Sequence, residues 1–205
     1  MSSSYRNSLN QWLSQLDVVG NRVLDCGGSQ LPVKSRTKSW DVNEYLIADL
    51  PEPHVGSPKP DIELDIEKSN AFAPYTDIGD GEIIHDNPHY EWADLIFCLE
   101  VFDYILEPVK AMKNLASYLK PGGILWATYP FAYPTHNPIE FDMLRYTEFA
   151  VRRLAKESEL KIEQIIPRRP ETDAVEQLWR RERMRAAKGY DHDVTGWIVR
   201  MSKNE

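Results

Sequence analysis

The chain has 205 residues, 42% of them apolar and 27% charged, with a formal net charge of −8. That length suits a single domain with a sizeable core, and the composition is that of a globular protein. The acidic balance argues against a general nucleic-acid binder, no apolar run is long enough to span a bilayer, and two cysteines are too few for a disulfide framework or a zinc site.

Met1-Ser-Ser-Ser4 has neither the basic region nor the apolar core of a signal peptide, so a cytoplasmic protein is expected. The charge is uneven. Residues 1–144 hold 10 Lys and Arg against 21 Asp and Glu, whereas residues 145–205 hold 14 against 11. An anionic partner is therefore expected at the C-terminal quarter. No internal repeat or low-complexity segment is present.

In chain order, Leu9, Trp12, Leu13 and Leu16 give one apolar face to a helix over 4–16, a cover for a sheet edge or cleft mouth. Residues 17–21 read as a turn into a first strand over 22–26. That strand stops at Asp25, followed by Cys26 and the pair Gly27-Gly28. A second apolar run, 44–49, closes on Asp49. A strand ending in a carboxylate and glycines, with an acid ending the next strand, follows the nucleotide-site logic of open α/β sheets. An Asp-Gly-Gly turn is also common between ordinary elements, so this segment alone decides nothing.

Between the two strands, Pro32 and the polar stretch 34–39 predict a short helix or irregular loop. Four prolines between 51 and 60 predict another loop, 61–65 alternates as a short third strand, and 67–91 reads as irregular. Residues 93–99 form the clearest buried strand. Pro108 then opens a helix whose apolar face is Val109, Met112, Leu115, Ala116 and Leu119, and Lys120-Pro-Gly-Gly123 ends it. A fifth strand over 124–128 follows. Thr147 caps a helix over 148–159 with Phe149, Val151, Leu154 and Ala155 expected inside. A sixth strand over 161–166, an Arg-rich helix from 172 or 173 to about 188, and a last strand over 195–201 complete the reading. Strands alternating with helices predict a Rossmann-like, doubly wound α/β fold: a mostly parallel seven-stranded sheet, with the last strand able to insert antiparallel.

With these elements in place the chain resembles a class I S-adenosylmethionine-dependent methyltransferase of the type 11-like group. Residues 93–102 and the segment from Glu107-Pro108 to Leu119-Lys-Pro-Gly-Gly-Ile-Leu125 carry the likeness. The segment from Tyr129 to His136, with Asp142 and Arg145-Tyr146-Thr147, resembles a branch linked to glycans and other small molecules.

The resemblance implies S-adenosylmethionine as cofactor. Asp25, Gly27 and Gly28 would lie on its methionine side and Asp49 on its ribose. Asp65 and Ile66 would flank the adenine, with Cys98, Leu99 and Glu100 beneath. The family loop has three alternating glycines, whereas here only Gly27 is kept and Ser29 and Leu31 take the later places. That departure keeps a catalytically inactive binding protein among the readings.

His136, Asp142, Arg145 and Tyr146 follow strand five, where the rim of such a site lies. His136 is the candidate general base for an acceptor hydroxyl or amine, against the plainer reading that it pins a loop. Tyr133, with Asp142, Arg145 and Tyr146, is a candidate substrate contact; against that, Tyr129, Phe131 and Tyr133 beside a Pro-rich loop read more readily as a satellite core. His85, Asp86 and His89 lack a further cluster, so no metal site is expected. Asn87-Pro88 precedes strand four rather than following it, which removes it as an amino-methylation motif. Arg168-Arg169 and Arg180 to Arg185 read as a solvated face or an anion contact. The expected function is methyl transfer to oxygen or nitrogen of a small molecule, with a sugar or sugar-linked acceptor in view. A protein or nucleic-acid methyltransferase is the further alternative.

Overall fold

The computed structural model describes residues 4–52, 56–68, 89–182, 184 and 193–205. Its seven strands are β1 (Asp17–Cys26), β2 (Ser39–Asp49), β3 (Ile62–Glu63), β4 (Ala93–Cys98), β5 (Leu119–Pro130), β6 (Leu160–Arg168) and β7 (Gly196–Lys203). Four helices accompany them: α1 (Ser4–Leu13), α2 (Pro108–Tyr118), α3 (Glu148–Glu157) and α4 (Ala174–Arg181). The strands join in the order β3-β2-β1-β4-β5-β7-β6. All pairings are parallel except those of β7 with β5 and β6. The antiparallel last strand is as the sequence predicts.

The period-two alternation of the central strands divides the core between the two faces of the sheet. Leu24, Cys26, Ile96, Cys98, Leu125 and Ala127 pack on the side of α2 and α3. Val23, Phe97, Trp126 and Ile198 pack on the other side, where Leu9 and Leu13 of α1 cover them. The polar stretch after β1 forms only a 3-10 turn at Val33–Ser35, so α1 supplies most of the cover on that face.

Several boundaries differ from the sequence expectations. Residues 17–21 do not turn but extend β1, because Asp17 to Gly20 pair with Ser39 to Val42 of β2. Likewise, residues 119–123 extend β5: Leu119 pairs with Ala93 before a register shift, and Gly122 absorbs the irregularity at φ +74°. In α3, Thr147 caps as expected, its Oγ1 accepting from the Ala150 amide at 3.2 Å. Phe149, however, is 58% exposed, while Val151, Leu154 and Ala155 are buried. Phe149 lies two positions before Val151, too far round the helix to share its buried stripe. The last helix spans Ala174–Arg181 and buries none of its residues. Residues 183 and 185–188, into which the longer helix was expected to run, lie outside the described residues, as do His85, Asp86 and the Asn87-Pro88 pair.

Candidate cofactor and acceptor site

The sheet order reverses between β1 and β4, and ligands of open α/β sheets bind beyond the carboxyl ends of strands at such a switch point. Here Cys26 of β1 pairs directly with Cys98 of β4. The chain leaving β1 turns at Gly27, which sits at φ +80° and whose amide donates to the Ala48 carbonyl of β2 at 2.8 Å. Positive φ favours glycine there. A Cβ at Gly28 would lie 2.5 Å from the Asp25 carboxyl carbon, so only a bare backbone fits. A cleft opens above, walled by Gly27, Gly28, Leu99, Glu100, Arg6 and Arg36. Tyr104 also lines it.

Asp25 lines the cleft, but its Oδ2 is engaged by the protein. It accepts from the Tyr45 hydroxyl at 2.6 Å and the Val33 amide at 2.8 Å. Burial pushes its carboxyl up to about 6, against the pull of those two hydrogen bonds. Asp25 therefore organises the segment after β1, where the sequence predicts a short helix or irregular loop and a 3-10 turn forms at Val33–Ser35. Asp49 ends β2, and its two carboxylate oxygens accept from the Ser29 and Leu50 amides at 3.1 and 2.8 Å. Lone pairs remain on both oxygens for a vicinal diol.

Buried Ser29 has a hydroxyl with no partner, a polar atom beside the glycine turn that a ligand could satisfy. The glycine turn, the open cleft and Asp49 suit a nucleoside cofactor despite the missing later glycines. Asp65 binds the Glu67 amide at 3.0 Å and Lys68 at 2.9 Å, and buried Ile66 gives its carbonyl to Asn114. Cys98 is fully buried and does not line the cleft.

Glu100, just past β4, holds φ +59°, an unusual setting for a residue with a side chain. Its carboxylate accepts from the Thr128 hydroxyl at 2.8 Å and from Arg168 Nη1 at 2.5 Å. The sequence reads Arg168 as part of a solvated face or an anion contact, yet it is 1% exposed. Its guanidinium also donates to the Tyr5 carbonyl at 2.5 Å and stacks 3.3 Å from the Tyr5 ring. The carboxylate of Glu100 compensates the buried cation, and the pair ties α1 to the ends of β4 and β6. Arg36 adds a second tie, donating to Asn10 Oδ1 at 2.8 Å.

The loop after β5 brings His136, Asp142 and Arg145 together. Arg145 binds both oxygens of Asp142, at 2.6 and 2.7 Å. These hydrogen bonds hold the Asp142 carboxyl below its usual range. Asp142 Oδ2 also accepts the His136 amide at 2.9 Å. Tyr133 stacks against Tyr5, with ring centroids 4.3 Å apart, and lies 5.9 Å under the Arg145 guanidinium. Tyr146 stands apart from this group. It is buried, donates to the Phe102 carbonyl at 2.8 Å and packs edge-on against Tyr129, so the structure places it in the core.

Asp103 and Tyr104, which sequence reasoning passed over, complete the cluster. Asp103 Oδ2 is 2.8 Å from His136 Nε2, and the Tyr104 hydroxyl is 3.2 Å from Nδ1. Their signal was position: they follow the carboxyl end of β4, the same rim already assigned to the site. Candidate ligand atoms of Asp103, His136 and Asp142 lie within 4.8 Å of one another. Arg145 already supplies a cation to both Asp142 oxygens, which makes this a hydrogen-bonded charge network.

The methyltransferase domain family matches residues 80–127. Among solved structures, the chain is similar to the N-methyltransferase NodS of Bradyrhizobium japonicum in complex with S-adenosyl-L-homocysteine. That likeness has 14% identity and TM-score 0.57, covering 100% of this chain and 90% of that one. An S-adenosylmethionine-dependent methyltransferase of Mesorhizobium loti matches at 14% identity and TM-score 0.56, covering 98% and 99%. The [4+2]-cyclase SpnF matches at 18% identity and TM-score 0.55, covering 98% and 80%.

The fold is thus one the chain shares with S-adenosylmethionine-dependent methyltransferases, and the methyltransferase domain match falls within it, over residues 80–127. Among the described residues, no helix is long and apolar enough to cross a membrane.

Proposed function

We propose that the chain transfers a methyl group from S-adenosylmethionine to oxygen or nitrogen of a small molecule, sugar-linked acceptors included. The observation that carries this reading is the cleft itself. It opens at the switch point over the bare Gly27-Gly28 backbone, next to Asp49, and is bordered by the His136 cluster. Bound there, the cofactor supplies a methyl already activated by a sulfonium, so the protein's work is alignment and proton removal. Asp49 offers acceptors for ribose hydroxyls. Arg6 and Arg36 bring positive charge to the same wall, suited to a carboxylate on the ligand. Arg145 fixes Asp142, which in turn fixes the His136 backbone.

The N-methyltransferase neighbour is in keeping with a nitrogen acceptor, and the rim cluster is suited to a hydroxyl. A second reading, ligand binding without methyl transfer, draws on the altered loop: Ser29 and Leu31 replace glycines and Asp25 is committed to Val33 and Tyr45. The [4+2]-cyclase neighbour illustrates that this fold is not confined to methyl transfer.

The discriminating experiment separates the two sides of the site. His136→Ala and Arg145→Ala should leave the affinity for S-adenosylhomocysteine nearly intact. They should lower methyl transfer from S-adenosylmethionine to a panel of small hydroxyl and amino compounds, by about 10²–10⁴-fold for the loss of a general base. Abolished cofactor binding in either folded variant contradicts this division. A wild-type chain that binds but methylates none of the panel favours the second reading.

A further inference from the structure

We propose that Tyr104, His136 and Asp103 form a proton relay that takes the proton of a hydroxyl acceptor at the rim of the cleft. This rests on the methyltransferase reading above, and it narrows the acceptor from oxygen or nitrogen to an alcohol or phenol.

The argument begins with burial. Asp103 is 6% exposed, its Oδ1 has no hydrogen-bond partner, and its Oδ2 meets His136 Nε2 at 2.8 Å. Its backbone carbonyl accepts from the Met143 and Leu144 amides at 2.8 and 3.1 Å, which clamps the segment after β4 to the loop after β5. Asp142 holds the His136 amide from the other side. The imidazole is thus fixed both through its ring and through its backbone.

An ionised carboxylate only accepts hydrogen bonds, so its contact assigns the imidazole proton to Nε2. Nδ1 then presents a lone pair. The groups beside it are the Tyr104 hydroxyl and the Asn137 carbonyl, each at 3.2 Å. A carbonyl has no proton to give, so the hydroxyl donates to Nδ1. Tyr104 lines the cleft, and its hydroxyl connects the cleft to His136 Nδ1. Tyr104 is therefore the member that touches the acceptor, His136 is the terminal base, and Asp103 is a positioning residue that sets the tautomer.

In the step so defined, a lone pair of the acceptor oxygen forms the O–CH3 bond. The S–CH3 bond breaks and its electron pair stays on sulfur. The acceptor's proton passes to the Tyr104 oxygen while the Tyr104 proton moves to His136 Nδ1, leaving the phenol neutral throughout. The positive charge lost from sulfur reappears on the imidazolium beside Asp103, which then returns the proton to water. An amine acceptor can attack before losing a proton and needs no such chain.

The test is nitrogen-15 NMR of the histidine rings in the intact chain at a pH where His136 is neutral, with His136→Gln identifying its signals. The expected result is protonation at Nε2 and a hydrogen-bonded, unprotonated Nδ1. Asp103→Leu should convert this to a mixture of tautomers, and Asp103→Asn, which can turn either its oxygen or its NH2 to Nε2, should not hold the Nε2–H form as the carboxylate does. Tyr104→Phe should keep the tautomer but shift Nδ1 downfield, and added S-adenosylhomocysteine should move the Tyr104 ring signals more than those of His136.

Protonation at Nδ1 in the wild type overturns the relay. So does a tautomer indifferent to Asp103→Leu or an Nδ1 signal indifferent to Tyr104→Phe. The phenylalanine variant decides the matter if the leucine variant does not fold. Failure of S-adenosylhomocysteine to bind, with the tautomer as expected, strikes the cofactor reading and leaves the relay geometry standing.

Discussion

Asp25 shows how one residue can be read correctly in place and differently in role. Its position at the end of β1 beside two glycines was legible, because the motif is local. Its hydrogen bonds to Val33 and Tyr45 were not, because they depend on how the chain folds back after β1 and on the neighbouring strand. The burial of Asp25, which outweighs those hydrogen bonds, carries a pH signature. The folded carboxyl is pushed up to about 6, whereas an unfolded aspartate titrates near 3.9. The folded state binds the proton more tightly, so this group's contribution to stability falls as pH rises between those values. The loss is on the order of 3 kcal/mol. Urea unfolding of Asp25→Asn should therefore show the variant gaining on the wild type between about pH 4 and pH 7, and a constant difference would contradict the assignment. At the end of β2, Asp49→Ala should weaken S-adenosylhomocysteine binding by about 1–3 kcal/mol, read by calorimetry, as expected for hydrogen bonds to a charged group. Unchanged affinity in a folded variant would move the ribose contact elsewhere.

Among the elements, the apolar strands and the amphipathic helices α1 and α2 were legible because their periodicities are strong. Their ends were not. Residues 17–21 carry a Gly-Asn pair that reads as a turn, yet pairing with β2 keeps them extended. The end of β6 was the larger miss. Arg168-Arg169 reads as solvated charge, and nothing local announces that Glu100, 68 positions earlier, meets Arg168. That ion pair, with the Arg168 bond to the Tyr5 carbonyl, joins α1 and the end of β6 to Glu100, which lines the cleft. Arg168→Met should destabilise the fold by about 2–4 kcal/mol, somewhat below the usual penalty for breaking a buried pair because the Glu100 side chain is 33% exposed. Chemical denaturation measures it directly. A loss under about 1 kcal/mol would mean the pair is a surface contact in effect.

For the molecule as a whole, the parallel sheet and antiparallel last strand follow from element order, which the sequence displays. The site was legible where a strand simply ends: Gly27, Gly28, Leu99 and Glu100 do line one cleft. It was not legible where separate segments converge, as Arg6, Arg36 and Tyr104 do on that cleft and as Asp103 does on His136. The account stands on this cleft being a cofactor site despite its altered glycine turn. The most direct measurement is titration calorimetry of the intact chain with S-adenosylhomocysteine. The account predicts saturable binding at a Kd on the order of micromolar, equivalent to about −8 kcal/mol. No heat and no thermal shift at ligand concentrations on the order of 1 mM would contradict it.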